Sequence, residues 1–199
     1  TAETVWSSIV DPGVDIPEGA TAIHGITTAV AREQGLPAGQ VIAELSAVIR
    51  LVWDEDLAVP ILAMNVPYDL IVVQRELARH GGKELDVGPC LDPYVIDRAC
   101  DPWRKGKRRL ANLTAHYLPK DFQLGDDAHG AEADAIAAGR VLYAQVARYA
   151  KLRAMTLDQM QVWQAREHAA RQASYQRYLR EKKVPPEPGA VVDGHWPVR

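Results

Sequence analysis

Two aspartates and one histidine carry the types and spacing that could handle a phosphoester. Asp69 closes the run Asn65-Val66-Pro67-Tyr68-Asp69, directly after an apolar stretch. His129 lies five residues before Asp134 in HGAEAD, just ahead of an alanine-rich segment. Carboxylates give a divalent cation the hard oxygen ligands it prefers, and a histidine beside them can take a proton from water. Taken singly, each has a plainer reading. Asp69 suits the electrostatics of a helix start, and His129 suits a surface capping loop.

Two more segments invite attention. In Ile23-His24-Gly25-Ile26-Thr27 an apolar residue beside a histidine could wedge against a flat ring; the plain alternative is a hydrophobic staple. Trp103 to Arg109 holds five cations and an aromatic in seven residues, which suits a polyanion backbone or a solvated loop. Asp126-Asp127 reads as a surface turn. CxxC, HExxH, GxSxG and a phosphate-cradling glycine loop are all absent from the sequence. Cys90 and Cys100 make no disulfide framework, and a reducing, cytoplasmic compartment is the simpler expectation.

The elements that must position these residues are legible in outline. A strand is expected over Thr4–Val10, then a Pro/Gly-rich loop to Ile26. Thr27 is a helix N-cap ahead of a segment ending at Gly35. Val41, Leu45, Val48, Ile49 and Val52 recur at helical spacing after Pro37, and the acidic turn Asp54–Asp56 ends that helix. The apolar run Val59–Met64 predicts a strand covered on both faces, with Pro60 at its start. A helix from about Pro67 to His80 and a short strand over 88–96, broken by Pro93, complete a strand–helix–strand unit. The rest reads as helices over Arg109–Leu118, Ala131–Lys151 and Thr156–Lys183, followed by a Pro-rich stretch and tail. Trp163 and Trp196 are expected to cover apolar surface.

Composition excludes several classes. The chain has 199 residues, is 47% hydrophobic and 25% charged, and has the balance of an ordinary soluble protein with a sizeable core. The longest apolar runs fall short of a membrane span, and no secretory leader is visible. The net charge of −3 conceals an acidic half, with 6 Lys/Arg against 15 Asp/Glu in residues 1–100, and a basic half beyond it. Acidic groups can hold metal while basic ones hold phosphate.

In order, IHGIT at 23–27, NVPYD at 65–69, LDPYVIDR at 91–98 and HGAEAD at 129–134 resemble the DEDDh family of 3′–5′ exonucleases, the DnaQ-like group to which the proofreading subunit of bacterial DNA polymerase III belongs. The likeness covers roughly residues 1–150. It implies a ribonuclease-H-like α/β fold, a mixed sheet flanked by helices, in an exonuclease domain over 1–151. Residues 152–199 form a helical extension and tail.

The resemblance also implies site roles. Asp69 and Asp134 are two of four carboxylates holding paired Mg2+ or Mn2+, and His129 is the general base. Ile23, His24, Gly25, Asn65 and Tyr68 bind the substrate, the 3′ end of a single strand of DNA or RNA. Products are nucleoside 5′-monophosphates. A DNA polymerase subunit is a further implied partner, and no membrane is involved. One departure stands out: the family's first motif is an Asp-x-Glu pair, and here Ala2-Glu3-Thr4 has alanine beside its glutamate. Thr4–Val10 matches a later strand of the family, so the first motif is expected upstream of Thr1. The alternative is a catalytically inactive relative that binds nucleic acid or a polymerase. An Asp-x-Glu-Thr ahead of Thr1 favours the enzyme.

Overall fold

The computed structural model describes residues 6–53, 59–122 and 130–197. Its elements run β1 (Val10–Asp11), α1 (Glu18–His24), α2 (Thr28–Gln34), β2 (Leu36–Pro37), α3 (Ala38–Val52), β3 (Ile61–Leu62) and α4 (Val66–Arg79). They continue with β4 (Cys90–Leu91), α5 (Pro93–Cys100), α6 (Leu110–Tyr117), α7 (Ala131–Arg148), α8 (Ala150–Arg153) and α9 (Leu157–Glu181). The class is α/β, mostly helical. Its strands form two parallel pairs, β1 with β2 and β3 with β4, with Ile61 opposite Cys90 and Leu62 opposite Leu91.

The β3–β4 pair is covered on both faces, and side-chain alternation along a strand explains how. Cys90 enters a cluster with Val66, Leu70, Val95 and Trp196, and Ile61 packs against it. Leu91, the next residue, enters the opposite cluster with Ile96, Leu142, Leu152 and Met160, and Leu62 packs there. A third cluster, Ile42, Ile49, Leu77 and Leu85, joins α3 to α4. Gly88 admits Trp53 at the entry to β4. A Cβ there would lie 1.9 Å from the indole, so a larger residue would displace the ring.

Several expected elements are confirmed. Thr27 caps α2 by accepting from the Val30 N–H, and α3, α4 and α6 fall where their periodicity and flanking Pro and Gly place them. Others need correction. Residues 18–24 are helical rather than loop, and of the strand expected over 88–96 only Cys90–Leu91 is strand while residues 93–96 begin helix α5. The strand expected over 59–64 shortens to two residues. Of the strand expected over 4–10, residues 6–9 are not in a strand and only Val10 is, at the start of β1. The helix expected over 131–151 breaks at Tyr149. The start of the 4–10 segment, the acidic turn 54–56, the Asp126–Asp127 pair and His129 lie outside the described residues.

The C-terminal segment packs directly on this framework. Helix α9 starts with a reciprocal cap: Gln159 N–H donates to Thr156 Oγ1, and Thr156 N–H to the Gln159 side chain. It then lies along the outer edge of β4, where side chains stand in for a neighbouring strand. Gln161 Oε1 accepts from Cys90 N–H at 2.8 Å, and Gln164 Oε1 accepts from Asp92 N–H at 2.8 Å. Gln164 Nε2 returns a hydrogen bond to Cys90 O at 3.0 Å. The tail comes back as well, burying Trp196 against α4 and β4. Trp163 joins the other cluster, so both tryptophans cover apolar surface as expected.

Gln164 is fully buried. Gln164→Ala would orphan two buried backbone groups, each costing about 1–3 kcal/mol when unpaired. A loss of roughly 2–4 kcal/mol is expected, read as a lower denaturant midpoint at unchanged slope, whereas the exposed neighbour Arg166→Ala should change little.

Candidate functional site

The strand β3 delivers its chain straight into the segment 65–69. Asn65 has φ 68° and ψ 50°, the left-handed conformation that asparagine tolerates better than most residues. Pro67 suits the first turn of α4, where its missing N–H is no loss. Tyr68 is largely exposed. Asp69 lies in the first turn of α4 and is exposed over the residue as a whole. Even so, the protein around its carboxyl raises its pKa by desolvation, against a smaller lowering by a backbone hydrogen bond.

A buried carboxylate that sequence reasoning missed holds this corner in place. Asp92 is fully buried. Its Oδ1 accepts from Asn65 N–H at 3.0 Å and from Tyr94 N–H at 2.9 Å, and its Oδ2 from Val66 N–H at 3.1 Å. One side chain therefore caps α5 and clamps the start of α4, giving orphan helix-start donors an acceptor. Burial raises the Asp92 pKa, and the backbone donors from Asn65, Tyr94, Val66 and Val95 pull it down by less. The readable signal was Asp92-Pro93 itself, an N-cap followed by a first-turn proline.

Asp134 lies in the first turn of α7 and is exposed. Helix α7 packs against β3, the strand that leads to Asn65. Both aspartates thus open helices attached to the β3–β4 pair. Among the described residues no three His, Cys, Asp or Glu side chains form a group that could hold a metal ion. Asp69 and Asp134 have the donor chemistry for Mg2+ or Mn2+ but do not form a complete ligand set.

The 23–27 segment ends one helix and starts the next. Gly25 caps α1 at φ 76°, its N–H donating to Thr21 O at 2.8 Å. His24 Nδ1 accepts from Ile26 N–H at 3.1 Å, and Ile23 is 77% exposed, a conspicuous apolar side chain in solvent. The arrangement is a C-cap of α1 that runs into the Thr27 N-cap of α2.

The basic loop divides in two. Trp103, Lys105, Lys107 and Arg109 are exposed, whereas Arg104 and Arg108 turn inward. Asp97, fully buried in α5, accepts from Arg104 Nη2 at 2.8 Å, from Arg108 Nη1 and from the Tyr117 hydroxyl at 2.8 Å. Arg108 Nη2 also donates to the carbonyls of Asp101 and Arg104. Arg108 is thus a structural residue, and the solvated-cation reading fails for it. Tyr117 has its pKa raised by burial and by its bonds to Tyr149 and Asp97. Neither cysteine suits nucleophilic chemistry: burial and nearby Asp92 push the Cys90 thiol up to about 12, and burial raises Cys100.

Comparison with protein-family models and with curated proteins returns no match.

Two predictions follow from the buried carboxylates. Arg108→Met should cost about 3–5 kcal/mol, because it leaves Asp97 buried and short of a counter-charge; a thermal melt reads it. For Asp92, alanine should destabilise more than asparagine. Asparagine keeps Oδ1 but turns an amide donor toward Val66 N–H. Because the folded pKa of Asp92 lies above its ordinary value of 3.8, the folded state retains the proton over a window in which the unfolded chain has lost it. The contribution of Asp92 to stability therefore falls as pH rises through that window and is level above it. Chemical denaturation at a series of pH values should show Asp92→Asn lacking that falling component.

Proposed function

We propose that the chain is a ribonuclease-H-like module of a metal-dependent 3′–5′ exonuclease, acting on single-stranded nucleic acid ends. The observation that carries this reading is the placement of the motif 65–69. A parallel strand whose two partly buried residues pack on opposite core clusters leads through Ala63 and Met64 to Asn65, and Asp69 follows in the first turn of the next helix. The C-terminal end of a strand in an α/β layer is where ligand sites usually form. Asp134 heads a helix packed on the same strand.

In this reading Asp69 and Asp134 are two of the ligands of Mg2+ or Mn2+, which when bound polarises the phosphodiester and its attacking water. His129, five residues before Asp134, receives the proton from that water. Asn65 and Tyr68 border the strand end and contact the terminal nucleotide, and exposed Ile23 wedges against its base. Exposed Lys105, Lys107 and Arg109 meet the phosphate backbone.

The family's first Asp-x-Glu motif has no counterpart in Ala2-Glu3-Thr4. The test therefore compares the chain alone with the chain preceded by a hydrophobic strand bearing Asp-x-Glu-Thr, assayed for mononucleotide release from a labelled single strand with Mn2+. The chain alone should bind Mn2+ weakly, and the extended form should bind it tightly and release mononucleotides. Asp134→Asn should abolish release, and His129→Ala should slow it roughly 100- to 10,000-fold with Mn2+ binding retained. An extended form that binds Mn2+ tightly yet leaves the strand intact would point to the non-catalytic relative, and a full rate in His129→Ala would remove the histidine from the mechanism.

A further inference from the structure

A cavity of about 590 Å³ opens between the start of α4, helix α5, the segment 108–110 and helix α9. Its volume lies in the range of small-molecule sites. Four of its lining residues are arginines, Arg98, Arg108, Arg109 and Arg171, and its described lining includes no carboxylate. Asp97 neutralises Arg108 from behind. Arg98, Arg109 and Arg171 have no ion-pair partner among the described residues.

The arginines are held where they repel one another. Both terminal nitrogens of Arg171 lie 3.2 Å from the Tyr94 hydroxyl, and the guanidinium stands 4.9 Å over that ring. Arg98 stands 5.9 Å over the same ring. Burial and then Arg171 lower the Arg98 pKa, Tyr94 opposes them, and Arg108 lowers it further against the smaller effect of Asp97. Converging cations with no anion among them form an arrangement that an oxyanion would stabilise.

His168 forms part of the wall. It is 7% exposed, lines the cavity, and its Nδ1 has no hydrogen-bond partner. Its Nε2 lies 3.1 Å from Gln172 Nε2. With the amide donating, Nε2 accepts and the imidazole proton sits on Nδ1. Burial and Arg171 hold this ring neutral, opposed by Asp193. The result is a neutral ring whose Nδ1 is enclosed by protein, so His168 brings no negative charge to the guanidinium groups.

We propose that this cavity binds a phosphomonoester: Arg98, Arg109 and Arg171 take the dianion, and Tyr175 at the rim meets the attached nucleoside. Paired guanidinium forks match a tetrahedral dianion, and the space exceeds that of the phosphate group alone. This site is built largely on α5 and α9 and does not depend on the nuclease reading. It shares Asn65 and Arg109 with the residues invoked there, and the variants that test it, Arg98 and Arg171, are not among those.

The test is calorimetric titration of the full chain in EDTA, so that no divalent ion contributes. The ligands are AMP, inorganic phosphate, adenosine and a short oligothymidylate with or without a 5′-phosphate. AMP should bind, phosphate should bind about tenfold more weakly, and adenosine should show no heat. If the phosphorylated oligonucleotide alone exceeds AMP, the ester comes from a strand end; if AMP binds tighter, it comes from a free nucleotide. Both support the site. Arg98→Gln and Arg171→Gln should each weaken AMP at least about tenfold, the scale of one charged hydrogen bond. Arg177→Gln, on an exposed part of α9, should leave it unchanged. Melting curves verify folding, and Arg98→Gln serves if Arg171→Gln loses its packing on Tyr94. Absence of AMP binding at millimolar concentration would overturn the proposal. So would equal binding in Arg98→Gln, or binding that requires Mn2+ and is lost in Asp69→Asn.

Discussion

The Asp92 carboxylate is the constraint on which this architecture turns. Two-residue strands supply few ladder hydrogen bonds, so β3 and β4 cannot hold the chain beyond them by pairing alone. Asp92 extends the connection past the strand ends: a carboxylate following β4 accepts from the two residues that begin α4 after β3. The left-handed turn at Asn65 costs backbone energy, and a charged acceptor fixed on its N–H offsets that cost. Two helix starts and a strand end are thereby tied to one buried side chain, whose own N–H is in turn secured by Gln164.

A second buried carboxylate, Asp97, shows where part of the charge asymmetry goes. The acidic first half and the basic second half meet inside the protein, as Arg104 and Arg108 fold back across α5 onto Asp97. Tyr117 joins them and is bonded to Tyr149, so the same carboxylate links α5 to α6 and to the hinge between α7 and α8. Replacing such a cluster with apolar groups can be neutral, but removing one member leaves a bare charge. The cluster acts on arrangement: it withdraws two cations from the loop and leaves Lys105, Lys107 and Arg109 outside.

What the sequence reveals and conceals follows from the range of each interaction. Thr27, Pro37, Pro67 and the apolar spacing of residues 41–52 act locally, and the helices they imply are present. Residues 93–96 mislead because Val95 and Ile96 are strand-like and fully covered, while the deciding signal is the cap and proline at 92–93. Helix α1 buries no residue, so no apolar stripe announces it. Arg108 resembles every other cation in its loop until Asp97, eleven residues earlier, is placed beside it. Of the candidate site, the surroundings of Asn65 and Asp69 were legible because strand end and helix start are local features. Asp92's triple acceptance was not, since it joins segments 26 and 27 residues apart.

Helix α9 shows how one amphipathic face can serve two ends. Gln164, His168, Arg171, Gln172 and Tyr175 recur at three- and four-residue intervals, so they lie along one face. That face is polar, which is why no hydrophobic period marks it in the sequence. At Gln164 the amide replaces a missing strand neighbour for β4, which needs a donor and an acceptor in fixed register. Once that register is set, the residues one and two turns further along are carried to a fixed height above α5. Arg171 then meets Tyr94, and His168 is buried with a free ring nitrogen. Edge capping and the cationic cavity are therefore two consequences of one docking geometry, and a shift of α9 along β4 would disturb both.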